Sequence, residues 1–177
     1  EDGIILTHGA SQALELTLRA FAQPGDTVLV DDPGYCNLYP LLQSLGLTAI
    51  GVGRTATGPC PSLFERAIKQ HQPRLFVTTS VLHNPTGGCA SAENVAAIHA
   101  LAVKHGITMV EDNIFLDLTP ESQPCHARYD KLQNIIHIGS FSKTIGPGLR
   151  VGYLACPPEI GKRILRYKMA AGLTTAG

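Results

Sequence analysis

The chain has 177 residues, 44% apolar and 16% charged, with a formal net charge of zero. That length suits one domain with a real core, since domains run to about 100–200 residues, and the balance excludes a disordered segment. Lys and Arg are scattered, which gives no attraction to nucleic acid or a membrane surface, and no apolar run nears the roughly 20 residues that span a bilayer.

In chain order, short apolar runs alternate with helical stretches. Residues 4–7 read as a buried strand. Residues 11–22 read as a helix with Leu14, Leu18 and Phe21 on one stripe. Pro24, Gly25 and Asp26 make a turn, residues 27–30 a strand, and residues 38–45 a helix ended by Gly46. Residues 47–52 are strand-like. Ser62 and Glu65 have the spacing of a capping box, opening a helix that fades before Pro73. Residues 75–78 form a strand. Ser91 caps a long helix with Val95, Ile98 and Ala102 on one face, stopped by Gly106. Residues 108–110 run into Glu111 and Asp112. Residues 135–138 and 151–154 are strands, and a last helix starts near Pro158. The opening Glu1-Asp2-Gly3 carries no initiator methionine or signal peptide, and the chain stops at Thr174-Thr175-Ala176-Gly177, a few residues past that helix. It therefore reads as one domain, residues 1–177, cut from a longer protein. The five cysteines are odd in number without a C-x-x-C pair, which favours a reduced, cytoplasmic setting. The seven histidines show no ligand spacing, so no metal site is expected.

Strands alternating with helices predict an α/β fold: a mostly parallel central sheet covered by helices on both faces. Ligands on such sheets bind outside the carboxyl ends of the strands. Five segments that could carry chemistry fall there. In Gly139-Ser140-Phe141-Ser142-Lys143-Thr144, a lysine follows a buried strand, where partial desolvation would favour the neutral amine that condenses with an aldehyde. Ser140 and Ser142 offer hydroxyls, and Arg150 offers a bidentate fork to a phosphate. Alone, such a loop is more often a surface turn. Asp112 either caps the next turn or faces a pyridine nitrogen and keeps it protonated. His8-Gly9-Ala10-Ser11 opens a helix whose free amides make an anion site, or is an ordinary cap. Asn84-Pro85-Thr86-Gly87 is a turn whose Asn can donate to a phenolic oxygen. Asp32-Pro33-Gly34-Tyr35 ends in an aromatic that packs in the turn or stacks on a flat ring. Gly51-x-Gly53-x-x-Ala56 nominally matches a dinucleotide fingerprint, but Gly58-Pro59-Cys60-Pro61 follows where a helix should begin, so it is rejected.

As a set, in this order, these segments resemble the fold-type I pyridoxal-phosphate (PLP) enzymes, the class I/II aminotransferase superfamily. The resemblance covers nearly the whole chain. It implies that residues 1–177 are a PLP-binding large domain. Lys143 then looks like the Schiff-base lysine and proton-transfer base of transamination, Asp112 the partner of the pyridine nitrogen, Asn84 the donor to the phenolic oxygen, and Tyr35 the stacking aromatic. Ala10, Ser11, Ser140, Ser142 and Arg150 look like the phosphate cup. The family's tyrosine two or three places after the aspartate is Ile114 or Phe115 here, which implies a higher imine pKa and slower turnover. Ala10 also stands where the cup often has Ser or Thr. The resemblance further implies a homodimer. It places the arginine for the substrate carboxylate in a C-terminal small domain, and a phosphate-reaching tyrosine in a segment before Glu1. Two roles are open. One is amino-group transfer between an amino acid and a 2-oxo acid. The other is the PLP- or amine-sensing effector domain of a MocR-type GntR-family transcriptional regulator, which touches DNA only through a separate domain. The wording of residues 78–87 and 138–144 is similar to that regulator branch.

Overall fold

A computed structural model describes residues 3–172. Eight strands form one sheet: β1 (Ile4–Thr7), β2 (Thr27–Asp32), β3 (Thr48–Thr55), β4 (Gly58–Pro59), β5 (Leu75–Thr78), β6 (Thr108–Asp112), β7 (Ile135–Ser140) and β8 (Gly152–Ala155). Their spatial order is β1-β8-β7-β6-β5-β2-β3-β4. The strands from β7 across to β3 run parallel, β8 is antiparallel to both its neighbours, and β4 folds back on β3. This is the expected α/β architecture with a mostly parallel sheet.

Helices α1 (Gly9–Phe21), α2 (Leu38–Ser44) and α6 (Pro158–Ala171) cover one face. Helices α3 (Pro61–His71), α4 (Ala92–His105) and α5 (His126–Asp130) cover the other. The strands show why. Val28 and Val30 pack into the α1 layer while Leu29 packs into the α3/α4 layer, and Leu75 and Val77 alternate with Phe76 in the same way. With both pleat faces buried, a strand reads as an unbroken apolar run rather than an alternating one. Phe76 and Phe64, both fully buried, meet with ring centroids 4.6 Å apart at the centre of the α3/α4 layer.

Three sequence expectations are corrected. Ser62 and Glu65 form no capping box. Helix α3 starts two residues earlier than that box implies, at Pro61, whose fixed φ suits a first helical position, with Cys60 as its uncapped N-terminal flank. Ser62 is thereby inside the helix with its hydroxyl against the Cys60 thiol, and Glu65 pairs with Lys69 and Lys104 instead. The third strand extends past residue 52 to Thr55, because Gly58 at φ 121 lets the chain reverse into β4; no helix follows the glycine pair there. Helix α1 begins at Gly9 rather than residue 11. Ser91 caps α4 as read, accepting from the Asn94 amide at 3.2 Å, and Gly106 ends it at φ 66. The terminal residues 173–177 and residues 1–2 lie outside the described residues. No helix among the described residues is long and apolar enough to cross a membrane.

Truncating Phe76 to Ala should lower stability by about 3–5 kcal/mol, read as an earlier urea midpoint. Val103→Ala on the exposed side of α4 (57% exposed) should shift it by no more than about 0.5 kcal/mol.

Candidate cofactor site

The topology brings the five segments to one edge. Strands β2, β5, β6 and β7 end there at Asp32, Thr78, Asp112 and Ser140. Strand β1 lies antiparallel to β8, which lies antiparallel to β7, so Thr7 also ends at this edge, opposite Gly152. The same double reversal explains Arg150: it precedes a strand rather than following one, and reaches the edge because β8 starts there. The chain order β2–β3 runs one way from the centre and β5–β6–β7 the other, a switch point where such sheets bind ligands.

An open cavity lies at this edge. Six of the nine sequence-predicted residues line it: Ala10, Ser11, Tyr35, Asn84, Asp112 and Lys143. Ser140, Ser142 and Arg150 stand beside it rather than in its wall. The Ser140 hydroxyl donates to Ser142 Oγ at 3.1 Å and accepts from the Ser142 amide at 3.2 Å, which folds the loop after β7 into a compact turn. Arg150 lies across the first turn of α1, its Nη2 donating to the His8 carbonyl at 3.5 Å. Gly9, at φ 75, is required there: a Cβ would stand 2.7 Å from Arg150 Nη2. Gly152 is equally confined, its Cβ position being 2.6 Å from the Gly9 carbonyl carbon. The His8 side chain does not cap α1, and Gln12 Oε1 takes only the His8 amide at 2.8 Å, so the amides that follow and the guanidinium together form a cationic cradle beside the cavity.

Asp112 and Glu111 are neighbours with opposite environments, because successive residues of a strand point to opposite faces. Burial pushes the Glu111 carboxyl up, but His137, His126, the Ser80 hydroxyl and the Ala127 amide outweigh it and bring it to about 2. Glu111 also accepts the His126 and Ala127 amides at 2.7 and 2.9 Å. Asp112 has the reverse balance. Burial pushes its carboxyl up to about 6, against the opposing pull of the Ile114 amide and His137. Its Oδ1 is shut off from solvent and has no hydrogen-bond partner among the described residues. A buried acceptor left in this state is costly.

The Tyr35 hydroxyl accepts from Asn37 Nδ2 at 3.0 Å, which fixes the ring beside the cavity. Asn84 is exposed at the rim, next to the fully buried His83. Lys143 corrects one expectation: it is exposed rather than desolvated, because the loop after β7 turns outward. Its Nζ lies 5.7 Å from the centroid of the Phe115 ring, so the position of the absent tyrosine presents an apolar face to the amine. Thr79, Leu14, Ile114 and Phe115 complete the lining. Thr79 and Leu14 were not singled out from the sequence. Thr79 follows β5 at the same edge, so the strand-end rule reaches it, whereas Leu14 reads only as a core residue of α1.

This doubly covered, mostly parallel sheet, with a lysine, a buried acid and an arginine beside a helix start at its carboxyl edge, has the fold of the pyridoxal-phosphate-dependent aminotransferases. The chain belongs to the class I and II aminotransferase family, whose model matches residues 1–175. It is 31% identical over 176 residues to the uncharacterised HTH-type transcriptional regulator YisV of Bacillus subtilis, covering 98% of this chain and 36% of that protein. It is 27% identical to the 2-aminoadipate transaminase of Thermus thermophilus, covering 97% of this chain and 45% of that one. Among solved structures, the α-aminoadipate aminotransferase LysN of Thermus thermophilus, complexed with N-(5'-phosphopyridoxyl)-L-leucine, superposes with a TM-score of 0.91 at 27% identity. That superposition covers 98% of this chain and 46% of that one. The chain thus spans about a third to a half of the relatives it matches.

The cofactor of this family is pyridoxal phosphate. The residues present fit it. The orphaned Asp112 Oδ1 is an acceptor waiting for an N–H donor, and the α1 cradle is matched to an anion.

The raised Asp112 pKa has a stability consequence without cofactor. Between its ordinary 3.8 and about 6, the folded chain binds more protons than the unfolded one, so this group lowers stability as pH rises through that window. In cofactor-free protein, Asp112→Asn should be more stable than the parent by about 1–3 kcal/mol at pH 7. The difference should vanish near pH 4 in parallel denaturant titrations.

Proposed function

We propose that residues 1–177 hold pyridoxal phosphate through a Schiff-base attachment to Lys143 and serve amino-group transfer between an amino acid and a 2-oxo acid. The observation that carries this is the orphaned Asp112 oxygen in one cavity with Lys143, Asn84 and Tyr35. When bound, the cofactor supplies an aldehyde for amines and a pyridinium ring that withdraws electrons. Asp112 supplies a carboxylate that accepts the ring N–H and holds that proton in place. Burial, which raises the pKa of the free acid, strengthens the pairing once a cation is present. Asn84 and Tyr35 line the same cavity, where Asn84 would donate its amide to the phenolic oxygen and Tyr35 would cover one ring face. The amides of Ala10 and Ser11, the Ser140 and Ser142 hydroxyls and Arg150 bind the phosphate. Lys143 would hold the cofactor's aldehyde and, as a free amine, would be the group that carries a proton beside it.

A second reading is favoured by the names of the relatives. Several are HTH-type transcriptional regulators, at 29–33% identity over 94–99% of this chain. In that reading the same site is the amine- or PLP-sensing effector domain of a GntR/MocR-type regulator. DNA binding then belongs to a separate domain, and the loss of a tyrosine hydroxyl at Phe115 suits capture over turnover. Both readings place the site in a homodimer in the cytoplasm, with an amino acid or amine as substrate or effector.

Borohydride reduction of the PLP-loaded protein should leave a phosphopyridoxyl adduct on the tryptic peptide containing Lys143. Lys143→Ala should show neither the adduct nor the visible absorbance band; an unchanged band and adduct would sink the assignment. Phe115→Tyr restores a hydroxyl beside the phenolic oxygen. It should lower the pH midpoint of the visible band by about one unit, about 1.4 kcal/mol of preference for the deprotonated form.

A further inference from the structure

Beneath the cavity lies a second polar cluster that the proposed chemistry does not use. Asp31, one residue before the end of β2, has a side chain 5% exposed, and it pairs with Arg54 of β3, 3% exposed, at 2.8 Å. Its two oxygens also accept the Thr78 hydroxyl at 3.1 and 3.0 Å, and Oδ2 accepts the Thr79 amide at 3.0 Å. His83, 1% exposed, brings Nε2 to 3.5 Å of Oδ2. A small chamber touched by Asp31, His83, Tyr35, Thr79 and Asp112 adjoins the cofactor cavity.

We propose that Asp31 is a positioning residue: its buried carboxylate ties the Tyr35 turn to the Thr79–Asn84 segment and thereby sets where Tyr35 and Asn84 meet the cofactor. The inference rests on the reading that this cavity holds pyridoxal phosphate. The two segments meet at Asp31: the Tyr35 turn follows it along the chain and packs on its main-chain carbonyl, and the other segment is held by its carboxylate. On one side, the turn carrying Tyr35 folds back so tightly that a Cβ on Gly34 would stand 2.4 Å from the Asp31 carbonyl oxygen, and the Tyr39 hydroxyl donates to that oxygen at 3.4 Å. On the other side, Thr79 lines the cavity and is fixed through its amide. His83 passes the constraint on: its Nδ1 meets Thr86 Oγ1 at 2.9 Å and its amide donates to the Gly88 carbonyl at 2.8 Å, closing the turn that presents Asn84.

The choice of a charged acceptor follows from the number of donors. A carboxylate has about four lone-pair sites and can hold donors from three segments in one geometry, which no neutral side chain of that size does. Burial raises the Asp31 carboxyl, and Arg54 and the Thr79 amide oppose it. Burial together with Arg54 also holds His83 down at about 4, so the ring is neutral and serves as a fixed hydrogen-bonding strut. A buried ion pair is weak as a source of stability but effective in fixing one arrangement of its neighbours.

The test uses the full-length protein loaded with pyridoxal phosphate and reads cofactor affinity and the pH midpoint of the visible band, with circular dichroism as the folding control. Asp31→Ala with Arg54→Met removes the acceptor without stranding a charge. It should weaken cofactor binding about tenfold or more and shift the pH midpoint, because Asn84 no longer sits over the phenolic oxygen. Asp31→Asn with Arg54→Met returns an acceptor for Thr79 and should recover most of both. A folded alanine variant with parental affinity and midpoint overturns the proposal, leaving Asp31 a structural ion pair only. Should that variant not fold, Thr78→Val decides by the same readouts: it keeps the ion pair and removes only the hydroxyl tether, and an unshifted midpoint is again the overturning result. A parent protein that binds no pyridoxal phosphate overturns the reading of the site itself, and this inference with it.

Discussion

The double covering of the parallel sheet governs everything else in the molecule. With α1, α2 and α6 on one face and α3, α4 and α5 on the other, both pleat surfaces of the central strands β2, β5, β6 and β7 are kept from water, so their middles are largely apolar. Polar chemistry is pushed to the ends of the strands, where the covering helices begin and the backbone turns. Asp31, Thr78, Glu111, Asp112 and Ser140 all sit within the last two residues of a strand. Strand β8, antiparallel to both β7 and β1, completes the arrangement by returning Arg150 to the same side.

At that edge the pleat separates two classes of acid. Glu111 turns away from the cavity and is saturated with donors; Asp112 turns toward it and is left with an unpaired oxygen. One is held by its neighbours, the other offers an acceptor that none of the described residues meets. Such an unsatisfied group is what a functional site demands of a fold and what a purely structural core avoids. Asp31 is the intermediate case, buried and fully engaged, yet engaged with the segments that carry the site's side chains.

The helices and strands were legible because their patterns are local: the stripe of α1, the Ser91 cap and Gly106 stop of α4, and the apolar runs of β5 and β7. The capping box failed because Pro61 offered a better start two residues earlier, and the hairpin after β3 was missed because Gly58 provides a positive-φ residue that the pattern of apolar residues does not register. The expected desolvation of Lys143 failed for another reason. Sequence placed it after a buried strand, but only the path of the following loop decides what covers its amine.

The sequence by itself determined the elements, the α/β class, and the identity and order of the residues that meet at the strand ends, because periodicity, turn chemistry and motif order are properties of neighbours along the chain. Only the tertiary structure decided which acid of the Glu111–Asp112 pair is orphaned, how Arg150 reaches α1, and that Asp31 joins two loops. Those contacts link residues 47 and 48 positions apart at Asp31 and 142 apart at Arg150, and no local rule spans such distances.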